Sequence, residues 1–126
     1  MRIFTNAWFR RFARREKIDN KTMQAAVARA DRSLIDADLG GGVIKQRIAR
    51  PGKGKSGGYR TIIIFRQGEK AFFIYGYAKS KRSNIEQDEV EVFRKAAREL
   101  LALSDTQIMQ LIENGALTEV IDDDEA

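Results

Sequence analysis

The sequence predicts an α+β fold: an antiparallel sheet carrying an N-terminal helical hairpin and C-terminal helices. Three observations predict it. Residues 59–66 and 71–79 are two apolar runs of alternating pattern, joined at Gln67-Gly68-Glu69 in the manner of a hairpin. Ahead of them Met23, Val27, Ala30 and Leu34 step by 4, 3 and 4 residues, and behind them Val90, Phe93, Ala97 and Leu100 step by 3, 4 and 3. Steps of three and four residues put side chains on one helical stripe, whereas alternation divides them between the two faces of a strand. With 126 residues the chain has room for one domain with one modest core.

Residues 2–4 are a short strand or a lead-in. Thr5 or Asn6 caps a first helix, in which Trp8 and Phe12, and Phe9 and Ala13, are four apart and pack on the sheet, with Arg10, Arg11, Arg14 and Arg15 on the complementary surface. Asp19 or Asn20 starts the second helix, and a joint near Lys17-Ile18 folds the two into a hairpin over one sheet face. Gly40-Gly41-Gly42 ends the helical region. A strand over residues 43–49 follows, with Ile44 and Ile48 on one side and Val43, Lys45 and Arg47 on the other.

After Arg50-Pro51-Gly52 comes Lys53-Gly54-Lys55-Ser56-Gly57-Gly58. It lacks the first glycine of a phosphate-binding GxxxxGK[ST] loop, since Ala49 stands five residues before Gly54, and a strand follows it where that loop opens a helix. The segment is instead expected to be a basic hairpin loop that touches a phosphate backbone. In the first apolar run Tyr59, Thr61, Ile63 and Phe65 share a face opposite Arg60, Ile62, Ile64 and Arg66; in the second Phe73, Tyr75, Tyr77 and Lys79 oppose Phe72, Ile74, Gly76 and Ala78. Both are apolar on two faces, as central strands are. Arg60 then starts one strand and Lys79 ends its antiparallel neighbour, at the same sheet edge. Ser83 or Asn84 caps a third helix whose Glu86, Asp88 and Glu89 suit its N-terminus. Ser104 and Gln107 form a capping box for a fourth, closed by Gly115, and residues 117–121 make a small strand before an acidic tail. Residues 1–126 are one domain, with 103–126 as a C-terminal helical extension and tail.

Composition narrows the chemistry. With no cysteine and no histidine the chain has no disulfide, no ordinary zinc or iron ligand set and no imidazole base. No cofactor or metal is expected. No run approaches the roughly 18 apolar residues of a membrane span, so a cytoplasmic protein is expected. Residues 1–82 hold 20 Lys/Arg against 6 Asp/Glu, and residues 83–126 hold 3 against 12. A first two-thirds this positive is suited to a polyanion such as RNA.

If the partner is RNA, the simplest metal-free cleavage uses the 2′-hydroxyl as nucleophile on the adjacent phosphate. Such a site orients the 2′-oxygen, neutralises charge on the phosphorane and moves a proton. Arginine suits the second task because its fork grips two phosphate oxygens. Arg60 is the first candidate. Lys45, Arg47 and Lys79 are its candidate catalytic neighbours, because clustered cations depress a lysine pKa. Lys53, Lys55, Tyr59, Tyr75, Tyr77, Lys81 and Arg82 are candidate RNA contacts. Tyr75 and Tyr77 either stack a base or wedge into the core, and Asn84 either caps a helix or touches RNA.

The segments Ser56-Gly57-Gly58-Tyr59-Arg60, residues 61–66, and Tyr75-Gly76-Tyr77-Ala78-Lys79-Ser80-Lys81-Arg82-Ser83-Asn84-Ile85 resemble, in order and spacing, the RelE/HigB branch of bacterial type II toxin–antitoxin toxins. The resemblance covers residues 3 to about 102 and continues into a C-terminal extension seen in one subgroup. It implies a microbial RNase-type fold, cleavage of messenger RNA in the ribosomal A site and inhibition by a cognate antitoxin. Carried over by position, Arg60 matches a phosphate-binding catalytic arginine, Lys45 and Arg47 match alternating basic residues of the preceding strand, and residues 79–82 match a basic turn of the active site. The chain departs from the pattern at Ile85-Glu86, where many relatives have a tyrosine, and in lacking the histidine of several HigB-type members. The same superfamily includes ParE-like proteins, which poison DNA gyrase without cutting RNA. A noncatalytic nucleic-acid-binding adaptor is a third reading.

Overall fold

In a computed structural model the elements run β1 (Arg2–Asn6), α1 (Ala7–Glu16), α2 (Asn20–Asp31), β2 (Ala37–Gly40), β3 (Val43–Arg50), β4 (Gly54–Arg66), β5 (Lys70–Ala78), α3 (Gln87–Leu101), α4 (Asp105–Glu113) and β6 (Leu117–Glu119). The structure describes residues 1–50, 54–82 and 84–121, with backbone alone at 50 and 54–57. The strands form one sheet in the order β2-β3-β4-β5-β1-β6. The α+β class is borne out. The sheet, however, is mixed: β1 runs parallel to β5, with Ile3 opposite Ala71 and Thr5 opposite Phe73. Parallel neighbours are joined by long crossovers, so no local pattern in residues 2–6 marks this pairing.

Helix starts follow their caps. The Asn6 side chain accepts the Phe9 N–H at 2.7 Å, and the Asp19 carboxylate accepts the Thr22 N–H at 2.8 Å. Helix α1 packs over β5, β1 and β6, whereas α2 packs over β3. Both bury their stripes on the same sheet face, where Phe9, Phe12, Met23 and Val27 meet Ile44, Ile48, Ile63 and Phe73. Helices α3 and α4 cover the opposite face through Ala97 and Ile108 on Phe4, Val43, Ile62, Ile64 and Phe72. Each fully buried side chain of this size contributes about 1.5–3 kcal/mol. Leu34 does not extend the α2 stripe and is 56 % exposed. Ser33 takes a left-handed φ of 66°, and the Leu34 N–H returns to the Arg29 carbonyl at 2.9 Å, ending the helix in a Schellman turn.

Other expectations are corrected by the pairing. Strand β4 begins at Gly54, opposite Arg50, so Gly54 to Gly58 belong to a strand and Arg60 lies inside β4 rather than at its start. Lys53 and the Lys55 side chain lie outside the described residues, as do Ser83 and residues 122–126. Strand β2, unforeseen, pairs Ala37 with Lys45. In β5 the register slips: Ile62 faces Tyr75 and Ile63 faces Phe73, leaving Ile74 as the extra residue of a β-bulge. The slip separates Phe73 from Tyr75 and Tyr77, which the alternation had grouped. Among the described residues no helix is long and apolar enough to cross a membrane.

Candidate functional site

The alternations of β3 and β4 are in phase, and the bulge brings the end of β5 into phase with them. Three rows therefore cross the sheet on the α3 face. The first is Val43–Ile64–Phe72, the second Lys45–Ile62–Tyr75 and the third Arg47–Arg60–Tyr77. Apolar contact with α3 and α4 covers Val43, Ile64 and Phe72 and reaches Tyr75 through Phe93. Cations occupy the rows beyond. Lys79 follows at the end of β5, its N–H donating to the Gly58 carbonyl at 3.4 Å. Lys45 and Lys79 thus lie one row to either side of the arginines, about 7 Å along the strands.

Arg47 and Arg60 stand directly opposite on adjacent strands. Among the described residues the Arg60 guanidinium has neither ion pair nor hydrogen bond, although only 9 % of the residue is exposed. Like charges opposed in this way are destabilising, and an anion between them offsets the cost. Arg47 is held by its backbone: its N–H donates to Asp36 Oδ2 at 2.6 Å and its carbonyl accepts from Arg29 Nη2 at 2.6 Å. A cleft of about 410 Å³ runs along this edge, lined by Arg29, Asp36, Arg47, Gly58 and Arg60 among others.

Tyr77 is 5 % exposed, and its hydroxyl is buried without a hydrogen-bond partner among the described residues. Burial raises its pKa above the ordinary phenol value, while Arg60 and Arg82 pull the other way. Tyr75 is flanked by Trp8 at 4.6 Å and Phe93 at 5.7 Å between ring centroids. Tyr59 is not brought to this surface. It faces α1, 1 % exposed, and its hydroxyl donates to Glu16 Oε1 at 2.9 Å.

The turn after β5 completes the rim. Lys79 and Lys81 are exposed. Arg82 does not project to solvent: Nη2 donates to Glu89 Oε1 at 2.6 Å, Nη1 to Glu89 Oε2 at 3.1 Å, and Nε to the Asn84 carbonyl at 2.9 Å. Asn84 does not cap α3. Its Oδ1 accepts from Lys45 Nζ at 3.4 Å, while Glu86 is the N-cap and donates its N–H to Glu89 Oε1 at 2.8 Å. Arg29, Asp36 and Glu89 were not singled out from sequence as site residues. Arg29 and Asp36 carry no local signal, and Glu89 reads as an ordinary acid in a first helical turn.

This surface gathers Lys45, Arg47, Arg60 and Tyr77 on three adjacent strands, with Lys79 and Lys81 at its rim. It suits an anion better than a metal: among the described residues no group of three or more acidic side chains is placed to hold a cation. A profile of the RelE toxin of the RelE/RelB toxin–antitoxin system matches residues 1–120. No curated protein matches the chain. The matched span contains all the elements that build the cationic rows, and the chain belongs to the RelE toxin family of toxin–antitoxin systems.

Proposed function

We propose that this protein is an endoribonuclease toxin that cuts messenger RNA on the ribosome in the cytoplasm and is neutralised by a cognate antitoxin covering the same cations. The 2′-hydroxyl oxygen attacks the adjacent phosphorus, the bond to the 5′-oxygen breaks, and the products are a 2′,3′-cyclic phosphate and a free 5′-hydroxyl. Arg60, assisted by Arg47, neutralises the charge that grows on the phosphorane. Lys45 and Lys79, on either side, carry the proton from the 2′-oxygen and to the leaving 5′-oxygen. Lys81 holds the RNA backbone. No step needs a metal, because guanidinium groups supply the positive charge.

The observation that carries this reading is the opposed Arg47–Arg60 pair, in which Arg60 is nearly buried and has no ion pair among the described residues. Membership of the RelE family supports it. The test maps 5′ ends of mRNA in a reconstituted translation reaction, comparing wild type with Arg60→Ala. Translation-dependent cuts, reduced about a hundredfold or more in the variant, are expected. Whole mRNA with trapped gyrase–DNA complexes would establish gyrase poisoning instead, and RNA binding without cleavage would leave an adaptor.

A further inference from the structure

Resting on the ribonuclease reading, we propose that Glu89 is a positioning residue: through Arg82 it fixes the turn that brings Lys79, Lys81 and Asn84 to the rim of the cationic rows. Among the described residues the turn has few other ties, one of them the Lys79 N–H to the Gly58 carbonyl. Lys79, Ser80, Lys81 and Asn84 are exposed, and its backbone is tied by the Lys81 and Arg82 N–H groups to the Ala78 carbonyl at 3.0 and 3.3 Å. One guanidinium connects the remaining parts. Arg82 grips both oxygens of Glu89 on the first turn of α3, donates to the Tyr75 hydroxyl at 3.3 Å, lies 5.2 Å from the Tyr77 ring centroid and donates to the carbonyl of Asn84. Asn84 in turn accepts from Lys45. A continuous path therefore leads from Glu89 through Arg82 and Asn84 to a lysine of the second row.

The chemistry of the pair suits this task. A planar guanidinium meets a carboxylate in two parallel hydrogen bonds, which fixes orientation as well as distance; an ammonium fixes only distance. Glu89 is itself anchored by accepting the Glu86 N–H, so the fork is referred to helix α3. With its donors engaged, Arg82 is support for the site rather than a grip on phosphate. A turn released by about 1 Å misplaces its lysine enough to cost roughly a hundredfold in rate.

The full-length protein is compared with Glu89→Gln, Glu89→Asp and Arg82→Lys. Gln keeps an oxygen to accept the Glu86 N–H, so α3 retains its start. Amide hydrogen exchange by mass spectrometry is expected to speed up in residues 79–86 of Glu89→Gln while the β3–β4 pairing stays protected. Cleavage of translated mRNA should fall about ten- to a hundredfold in kcat with KM within about threefold, and Glu89→Asp should recover part of the rate. Exchange unchanged in the turn would overturn the clamp by itself. Cleavage equal to or faster than wild type, with KM unchanged or lower, would show Arg82 gripping RNA directly, with Glu89 as its competitor; a loss confined to KM would show that the turn serves RNA binding and not the placement of a reacting lysine. Either result overturns the catalytic half of the proposal. Wild-type protein that leaves translated mRNA whole would overturn the ribonuclease reading and the catalytic half of this one, while the exchange comparison still decides whether Glu89 holds the turn.

Discussion

At the scale of single residues, opposed Arg47 and Arg60 trade stability for a charged site. Like charges facing across antiparallel strands cost about 0.2–1 kcal/mol, toward the low end where one is solvated, as the exposed Arg47 is. Arg47→Gln is therefore expected to raise stability by a few tenths of a kcal/mol in urea unfolding while weakening binding of single-stranded RNA. A loss of stability instead would mean that the Arg47 side chain supports the edge of β3, a task its backbone bonds to Asp36 and Arg29 already perform. Lys45, Arg47 and Arg60 were legible in the sequence because alternation alone puts them on one face once β3 and β4 pair. The same alternation sends Tyr59 to the other face, so grouping it with Arg60 contradicted its own rule. Glu89 was illegible for a different reason: its partner sits seven residues earlier, across a turn whose shape no spacing reports.

At the scale of elements, the bulge in β5 decides which face the tyrosines take. Residues 72–75 are all apolar or aromatic, so the pattern gives no sign of where an extra residue enters. Asn6 marks the place structurally, donating from Nδ2 to the Ile74 carbonyl at 3.1 Å. Past the bulge Gly76 turns toward α1, where an added Cβ would lie 2.7 Å from Phe12 and 3.2 Å from Phe9. Both rings are buried, so Gly76→Ala should lower stability by about 1–3 kcal/mol, seen as a lower midpoint in thermal or urea unfolding. An unchanged midpoint would mean that α1 shifts freely on the sheet. The helix starts also set a response to acid. The Asp19 carboxyl lies below its ordinary value of 3.8, chiefly through the Thr22 hydroxyl and N–H, and Glu89 lies below 4.5, chiefly through Arg82. Depressed values mean that both contributions are complete above the unfolded carboxylate range and are lost as pH falls through the lower folded values. Exchange in residues 79–86 should accelerate over that acid window, and Glu89→Gln should remove this pH dependence there while leaving that of α2.

At the scale of the whole molecule, charge is segregated along the chain: 20 Lys/Arg against 6 Asp/Glu in residues 1–82, and 3 against 12 in the rest. That asymmetry was plain in the sequence, but not its division between two surfaces. The fold places Lys45, Arg47 and Arg60 on the α3 face and leaves Arg10, Arg11, Arg14 and Arg15 exposed on α1, across the sheet. Salt dependence distinguishes the two. Single-stranded RNA lying over Lys45, Arg47, Arg60, Lys79 and Lys81 releases counterions from about five phosphates, so log K should fall with log salt at a slope of about −3.5. An oligonucleotide made uncleavable by 2′-deoxy substitution allows this to be measured by fluorescence anisotropy. Lys81→Gln should reduce the slope by about 0.7 and leave the saturating cleavage rate in place, because it removes one backbone contact and no reacting group. Arg60→Gln should reduce both. A slope untouched by either substitution but reduced by neutralising Arg10 and Arg14 would put the RNA on α1, on the far side of the sheet from the opposed arginines.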